Sequence, residues 1–136
     1  MLKTVAIWID HKEARIFHIQ HDRSDETTVM APLQSIHHKH PKGAEGVREH
    51  PDDARRFFHN VTEELRGTEE ILVVGPSTAK LEFVKHVHHH DHALGTRIIG
   101  VETVDHPSDG QVVAYARKYF KDREVLSHAP GVRPGN

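Results

Sequence analysis

The 136-residue sequence contains no cysteine. Disulfides and thiolate metal sites are therefore excluded, and a reducing cytoplasm is the expected setting. No apolar stretch approaches the roughly 20 residues of a membrane span, so no membrane partner is expected. The opening residues, Met-Leu-Lys-Thr-Val-Ala-Ile-Trp, lack the charged lead, apolar segment and small-residue cleavage site of a secretory signal. Excess charge of one sign is also missing: 18 Lys and Arg stand against 20 Asp and Glu, for a formal net charge of -2. No global basic field advertises nucleic-acid binding, so any such activity has to come from a local patch.

What the chain does have is histidine, 15 in all and spread along its length. Protonation of many of them near pH 6 would turn a slightly acidic molecule strongly basic. Hydrophobic residues at 36% and charged residues at 28% describe an ordinary globular chain of one domain. That domain is expected over residues 1–125, with 126–136, rich in Pro and Gly, as a flexible tail.

Glu69 to Lys85 organises the rest. Ile71 to Val74 is an unbroken apolar run of the kind found in strands covered on both faces. Gly75-Pro76 ends it, and Ser77 or Thr78 can cap a following helix whose face is expected to carry Leu81, Val84 and His88, with Phe83 and Val87 beside it. Upstream, residues 4–9 and 14–19 read as an antiparallel pair joined by a turn at 10–13. Residues 20–26 read as a connection and 27–36 as a third strand, with Pro32 marking a bulge or an edge. An exposed edge there can pair with a second copy, so a homodimer is compatible with the sequence. After an aperiodic loop, Asp52 or Asp53 can cap a helix to Leu65 or Arg66, burying Ala54, Phe57, Phe58, Val61 and Leu65, with Gly67 as its stop. A last strand spans 97–104, with Gly100 marking a close approach. Ser108 and Gln111 form a capping box for a helix that buries Val112, Val113, Ala116 and Phe120. Three antiparallel strands followed by right-handed crossovers imply a three-layer α/β fold: a mixed five-stranded sheet, antiparallel in its N-terminal half, with helices on its faces. That is a ribonuclease-H-like outline.

Three segments in this order carry a resemblance. They are Trp8-Ile9-Asp10-His11 with Ala14-Arg15-Ile16-Phe17; Ile71-Leu72-Val73-Val74-Gly75-Pro76 with Lys80; and Gly100-Val101-Glu102-Thr103-Val104-Asp105-His106-Pro107 with Asp109-Gly110-Gln111. Over roughly residues 5–120 the chain resembles the middle domain of the class-one peptide-chain release factors of archaea and eukaryotes and of Pelota. It looks closer still to the small bacterial translational machinery proteins of that superfamily. The resemblance implies a ribosome- or RNA-associated domain. In the release factors the loop before the first long helix carries Gly-Gly-Gln, which positions water against peptidyl-tRNA. The corresponding place here reads Lys42-Gly43-Ala44-Glu45-Gly46, with no glycine pair and no glutamine. Gln111 lies beyond the last strand and is no substitute, so peptide release by that mechanism is not expected.

Residues 37–51 hold Lys39, Lys42 and Arg48 among four histidines, with Gly43 and Gly46 as flexible points. These cations can grip RNA phosphates, although Glu45 and Glu49 dilute the charge and no aromatic offers a stacking platform. Lys80, at a helix start, is a further candidate for a phosphate; without Gly-Lys-Ser/Thr the turn is not a Walker loop. His86 with His90, and His88 with His92, have the i, i+4 spacing that lets two imidazoles share Zn²⁺ or Ni²⁺. No cofactor is required by the sequence, adventitious uptake of either metal is compatible with it, and a helix-dipole role for these histidines is the plainer alternative. Two rival functions follow. One is a metal-dependent nuclease or phosphoesterase, in which Asp10 and Asp105 converge with Glu13, Glu102 or Asp109 around Mg²⁺. The other is a histidine-rich metal or pH sensor.

Overall fold

The computed structural model describes residues 3–32 and 51–128. β1 (Thr4–Ile9) and β2 (Glu13–Ile19) pair antiparallel, Ile9 opposite Ala14 and Thr4 opposite Ile19. The turn between them is built by Asp10: its Oδ1 accepts from the backbone N–H of Lys12 at 2.8 Å and of Glu13 at 2.9 Å. A short side-chain acceptor that satisfies two turn amides is the physical reason for aspartate at a turn start. β3 (Ser24–Met30) extends the sheet antiparallel to β2.

β3 departs from expectation. The strand begins at Ser24, inside the anticipated connection, and stops at Met30 before Pro32; residues 33–36 lie outside the described residues. Its position explains the mismatch. Among the described residues β3 is an edge strand paired with β2 alone, and Asp25, Glu26 and Thr28 stay exposed, so the apolar signal is diluted.

The second half is made of crossovers. α1 (Pro51–Glu64) starts at a proline, which suits a first helical turn because its missing N–H would have no partner there. It ends ahead of Gly67, whose φ of 84° is the left-handed conformation of a helix stop. β4 (Glu70–Gly75) lies parallel to β1, and β5 (Ile98–Thr103) parallel to β4. α2 (Ala79–His90), the single-turn α3 (His92–Gly95) and α4 (Asp109–His128) complete the chain. The sheet order is β3-β2-β1-β4-β5. The fold is thus the expected α/β architecture, a mixed five-stranded sheet with helices on its faces. α4 runs on to His128, so residues 126–128 are helical and not part of a tail.

Alternation along the strands makes two apolar layers. Val5, Ile7, Ile9, Ile71 and Val73 face Phe57, Phe58, Val61 and Leu65 of α1 and Phe83 and Val87 of α2. Ala6, Trp8, Phe17, Leu72 and Val74 face Val112 and Ala116 of α4. Phe57, Phe58, Val61 and Leu65 are buried as expected, whereas Ala54 is half-buried and Thr62 joins the buried set. The buried stripe of α2 is rotated: Ala79, Lys80, Phe83 and Val87 are buried, whereas Leu81 is 55% exposed and His88 is exposed. Two small or long-stemmed residues, Ala79 and Lys80, fill places that an apolar count assigns to leucine.

Candidate functional site

The C-terminal ends of β1, β4 and β5 lie together, where parallel α/β sheets usually place their ligands. Gly75 lets β4 press against β1, since a Cβ there would fall 2.2 Å from the Ile9 carbonyl oxygen. Ser77 and Thr78 lead into α2, but Thr78 makes no capping hydrogen bond, and the Ser77 hydroxyl accepts only a long one, 3.4 Å, from the Ala79 N–H. Lys80 turns back and donates its Nζ to the Ser77 carbonyl at 2.6 Å; it is only 6% exposed. A lysine held in this way braces the turn, and the phosphate contact expected of it has no open ammonium to start from.

Beside this turn a cleft of about 430 Å³ is lined by Val74, Val104, His106, Gln111, Val112 and Tyr115, among others. Trp8, buried nearby, donates its indole N–H to the carbonyl of Asp105, a lining residue, at 2.9 Å. The Arg15 guanidinium lies 4.5 Å above the Trp8 ring, and the His106 ring packs against it at 5.3 Å. Arg15 donates from Nη1 to Asp109 at 2.6 Å. Its Nε lies 3.3 Å from a Glu13 oxygen but off the donor direction, so that contact is charge attraction without a hydrogen bond.

These contacts decide the carboxylate question. Asp10 is committed to its turn, Asp109 to Arg15, and the Asp105 carboxylate to His106 Nδ1 at 2.9 Å. Among the described residues no group of three or more His, Asp or Glu is placed to hold a metal ion. The convergence that a two-metal nuclease needs is not formed by Asp10, Asp105, Glu13, Glu102 and Asp109.

The histidines after Lys85 pair as their spacing implies. His86 and His90 stack with centroids 4.4 Å apart, and His88 and His92 lie at 6.2 Å. Asp91 breaks the helix between them, accepting from the Leu94 N–H at 3.1 Å and so capping α3. That hydrogen bond, with help from Arg66, holds the Asp91 carboxyl below the usual carboxylate range. His86 is the perturbed imidazole. Burial, then the charges of His90, His59, Arg55 and His89, lower its pKa from 6.5 to about 4. Lys39, Lys42, Gly43, Gly46 and Arg48 lie outside the described residues.

Inspection of the sequence missed one cluster. Arg55, His59 and Thr62 are spaced i, i+4 and i+7 on one face of α1, next to its apolar stripe, and Arg66 follows in the turn after the helix. With Arg56, His86, His90 and Asp91 they line a second cleft of about 490 Å³ between α1 and α2.

The architecture and the covered faces of this sheet define an α/β domain with a fold found in Pelota. Over 93% of this chain it superimposes on the Pelota protein of Thermoplasma acidophilum, with a TM-score of 0.62 at 20% identity. Pelota of Archaeoglobus fulgidus matches over 90% of the chain, with a TM-score of 0.62 at 14% identity. The third is Dom34 of S. cerevisiae, a translation termination-like factor involved in RNA quality control pathways and interacting with Hbs1, which matches over 93% with a TM-score of 0.51 at 8% identity. The chain spans 35%, 33% and 40% of these proteins respectively. At such identities the likeness is one of fold. No family model and no curated protein matches the sequence. Among the described residues no helix is long and apolar enough to cross a membrane.

Proposed function

We propose that the protein is a translation-associated module that binds the ribosome or structured RNA in the manner of a release-factor middle domain, without hydrolysing peptidyl-tRNA. The observation that carries the reading is the superposition on Pelota over 93% of the chain, which extends across both crossovers and the antiparallel half-sheet. The segment between β3 and α1, where release factors carry their Gly-Gly-Gln, holds here Lys39, Lys42 and Arg48 with Gly43 and Gly46. Those cations are the ones assigned to phosphate contact, and the absent glutamine is the reason for assigning no hydrolysis.

Sedimentation through a sucrose cushion with purified ribosomes tests this. The wild-type protein is expected in the pellet at low salt. The Lys39→Ala/Lys42→Ala/Arg48→Ala variant should bind roughly tenfold more weakly, because each lost phosphate contact also lowers the salt dependence by a unit or less. A wild-type protein that stays in the supernatant with ribosomes from both growing and stressed cells would sink the reading. Pelleting that the triple variant leaves unchanged would remove the loop from it.

A further inference from the structure

The cleft between α1 and α2 has no part in the reading above. Its lining holds three arginines, Arg55, Arg56 and Arg66, three histidines, His59, His86 and His90, and one carboxylate, Asp91. Glu63 stands at the rim, 2.8 Å from Arg66 and 3.9 Å from His59. Both carboxylates bind Arg66, near the C-terminal end of α1. Arg55, Arg56, His59 and His86 line the opposite end.

The wall is ordered by packing. His86 rests against Phe58 with centroids 5.7 Å apart, and Phe58 is itself edge-on to Phe83 of the core at 5.7 Å. His90 stacks on His86 and meets His89 edge-on at 4.9 Å. Thr62 closes the floor, its hydroxyl donating to the Phe58 carbonyl at 2.7 Å. His86 and His90 are thus placed by packing, and Arg55, Arg56 and His59 stand on the facing helix, so donors suited to a multiply charged oxyanion converge on one cleft.

We infer that this cleft is a phosphate-binding site for a ligand carrying several adjacent phosphate groups, with Arg55, Arg56, His59, His86 and His90 as its donors. The chemistry is shared by an RNA backbone and by a free oligophosphate. The repulsion of His90, His59, Arg55 and His89 that helps to depress His86 is the repulsion that a bound anion relieves. The charged and titratable groups facing these imidazoles are Arg55, Arg56, His59, Glu63 and Arg66 from α1, and His86, His89, His90 and Asp91 from α2 and its end. An anion raises the pKa of an adjacent imidazole.

Calorimetry with tripolyphosphate and anisotropy with a labelled single-stranded RNA decamer, each at pH 6.0 and 7.5, test the site in the full chain. Tripolyphosphate should bind the wild type at both pH values. The Arg55→Ala/Arg56→Ala variant should bind roughly tenfold more weakly at both pH values. The His86→Gln/His90→Gln variant should bind tripolyphosphate roughly threefold more weakly at pH 6.0. A parallel loss in the decamer arm identifies RNA as the source of the phosphates; a loss confined to tripolyphosphate identifies a free oligophosphate. Either supports the site, and the second does so even if ribosome binding fails. Wild-type protein that binds neither probe, or cleft variants that bind tripolyphosphate like wild type, would overturn it.

Discussion

Two glycines illustrate how a single missing Cβ sets the geometry, and they differ in what stands opposite. A Cβ on Gly75 would lie 2.2 Å from the Ile9 carbonyl oxygen, which belongs to the central β1 backbone and cannot move without opening the β1–β4 pairing. At Gly100 a Cβ would lie 2.1 Å from the Tyr119 hydroxyl and 2.8 Å from the ring carbon that bears it, the far end of a side chain with solvent on one side. The similar clash distances therefore predict different costs. Gly75→Ala should destabilise the fold by about 3 kcal/mol, at the upper end of overpacking, and Gly100→Ala by about 1 kcal/mol. Urea denaturation measures both. In a Tyr119→Leu background the Gly100→Ala cost should disappear, whereas the Gly75→Ala cost should persist in any side-chain background. Equal costs for the two substitutions would mean that the β1–β4 seam is as compliant as a tyrosine ring.

The elements of this protein begin in different ways, and the difference can be measured. α4 has a complete capping box: Ser108 Oγ accepts from the Gln111 N–H at 3.2 Å, and Gln111 Oε1 accepts from the Ser108 N–H at 2.8 Å. α2 has no counterpart, because the Thr78 hydroxyl donates to Glu82 at 3.1 Å and leaves the helix amides alone. Ser108→Ala should cost about 1 kcal/mol and Thr78→Ala less than about 0.5 kcal/mol, read as shifts in the denaturation midpoint. The reverse order would show that the cap at α4 is decorative. The α4 box was legible in the sequence because Ser-Asp-Gly-Gln states both partners at a fixed spacing. β1, β2 and β4 were legible for a similar reason, since strands covered on both faces read as apolar runs. β3 was not, because a strand with one neighbour and an open face needs few apolar residues. The face of α2 was misjudged because Ala79 and Lys80 bury as well as Leu81 would. The cleft of arginines and histidines was invisible for a different reason: Arg55 and His59 meet His86 and His90 only after β4 has carried the chain back beside α1.

At the scale of the whole molecule the sheet is a wall shared by two apolar layers of unequal depth. Two helices, α1 and α2, close one side with four aromatic or large aliphatic side chains, Phe57, Phe58, Leu65 and Phe83, while α4 closes the other chiefly with Val112 and Ala116 around Trp8. Trp8 is the sole tryptophan and belongs to the α4 layer, with 1% of its surface exposed, so its fluorescence reports on that side. Far-UV circular dichroism reports on all the helices and strands. The layers cannot come apart independently if the residues that build them alternate along the same strands. In β1 the neighbours Val5, Ile7 and Ile9 face α1 and α2, while Ala6 and Trp8 face α4; in β4 Ile71 and Val73 alternate in the same way with Leu72 and Val74. Loss of either layer exposes apolar faces of β1 and β4 together, which makes a half-folded state costly. The two probes should therefore give coincident urea transitions, the signature of one cooperative unit. Phe83→Ala, far from Trp8 on the opposite side, should lower the midpoint of both curves equally, by an amount corresponding to about 3–5 kcal/mol. Fluorescence that keeps its wild-type midpoint while the dichroism shifts would mean that α4 holds the sheet without the helices behind it.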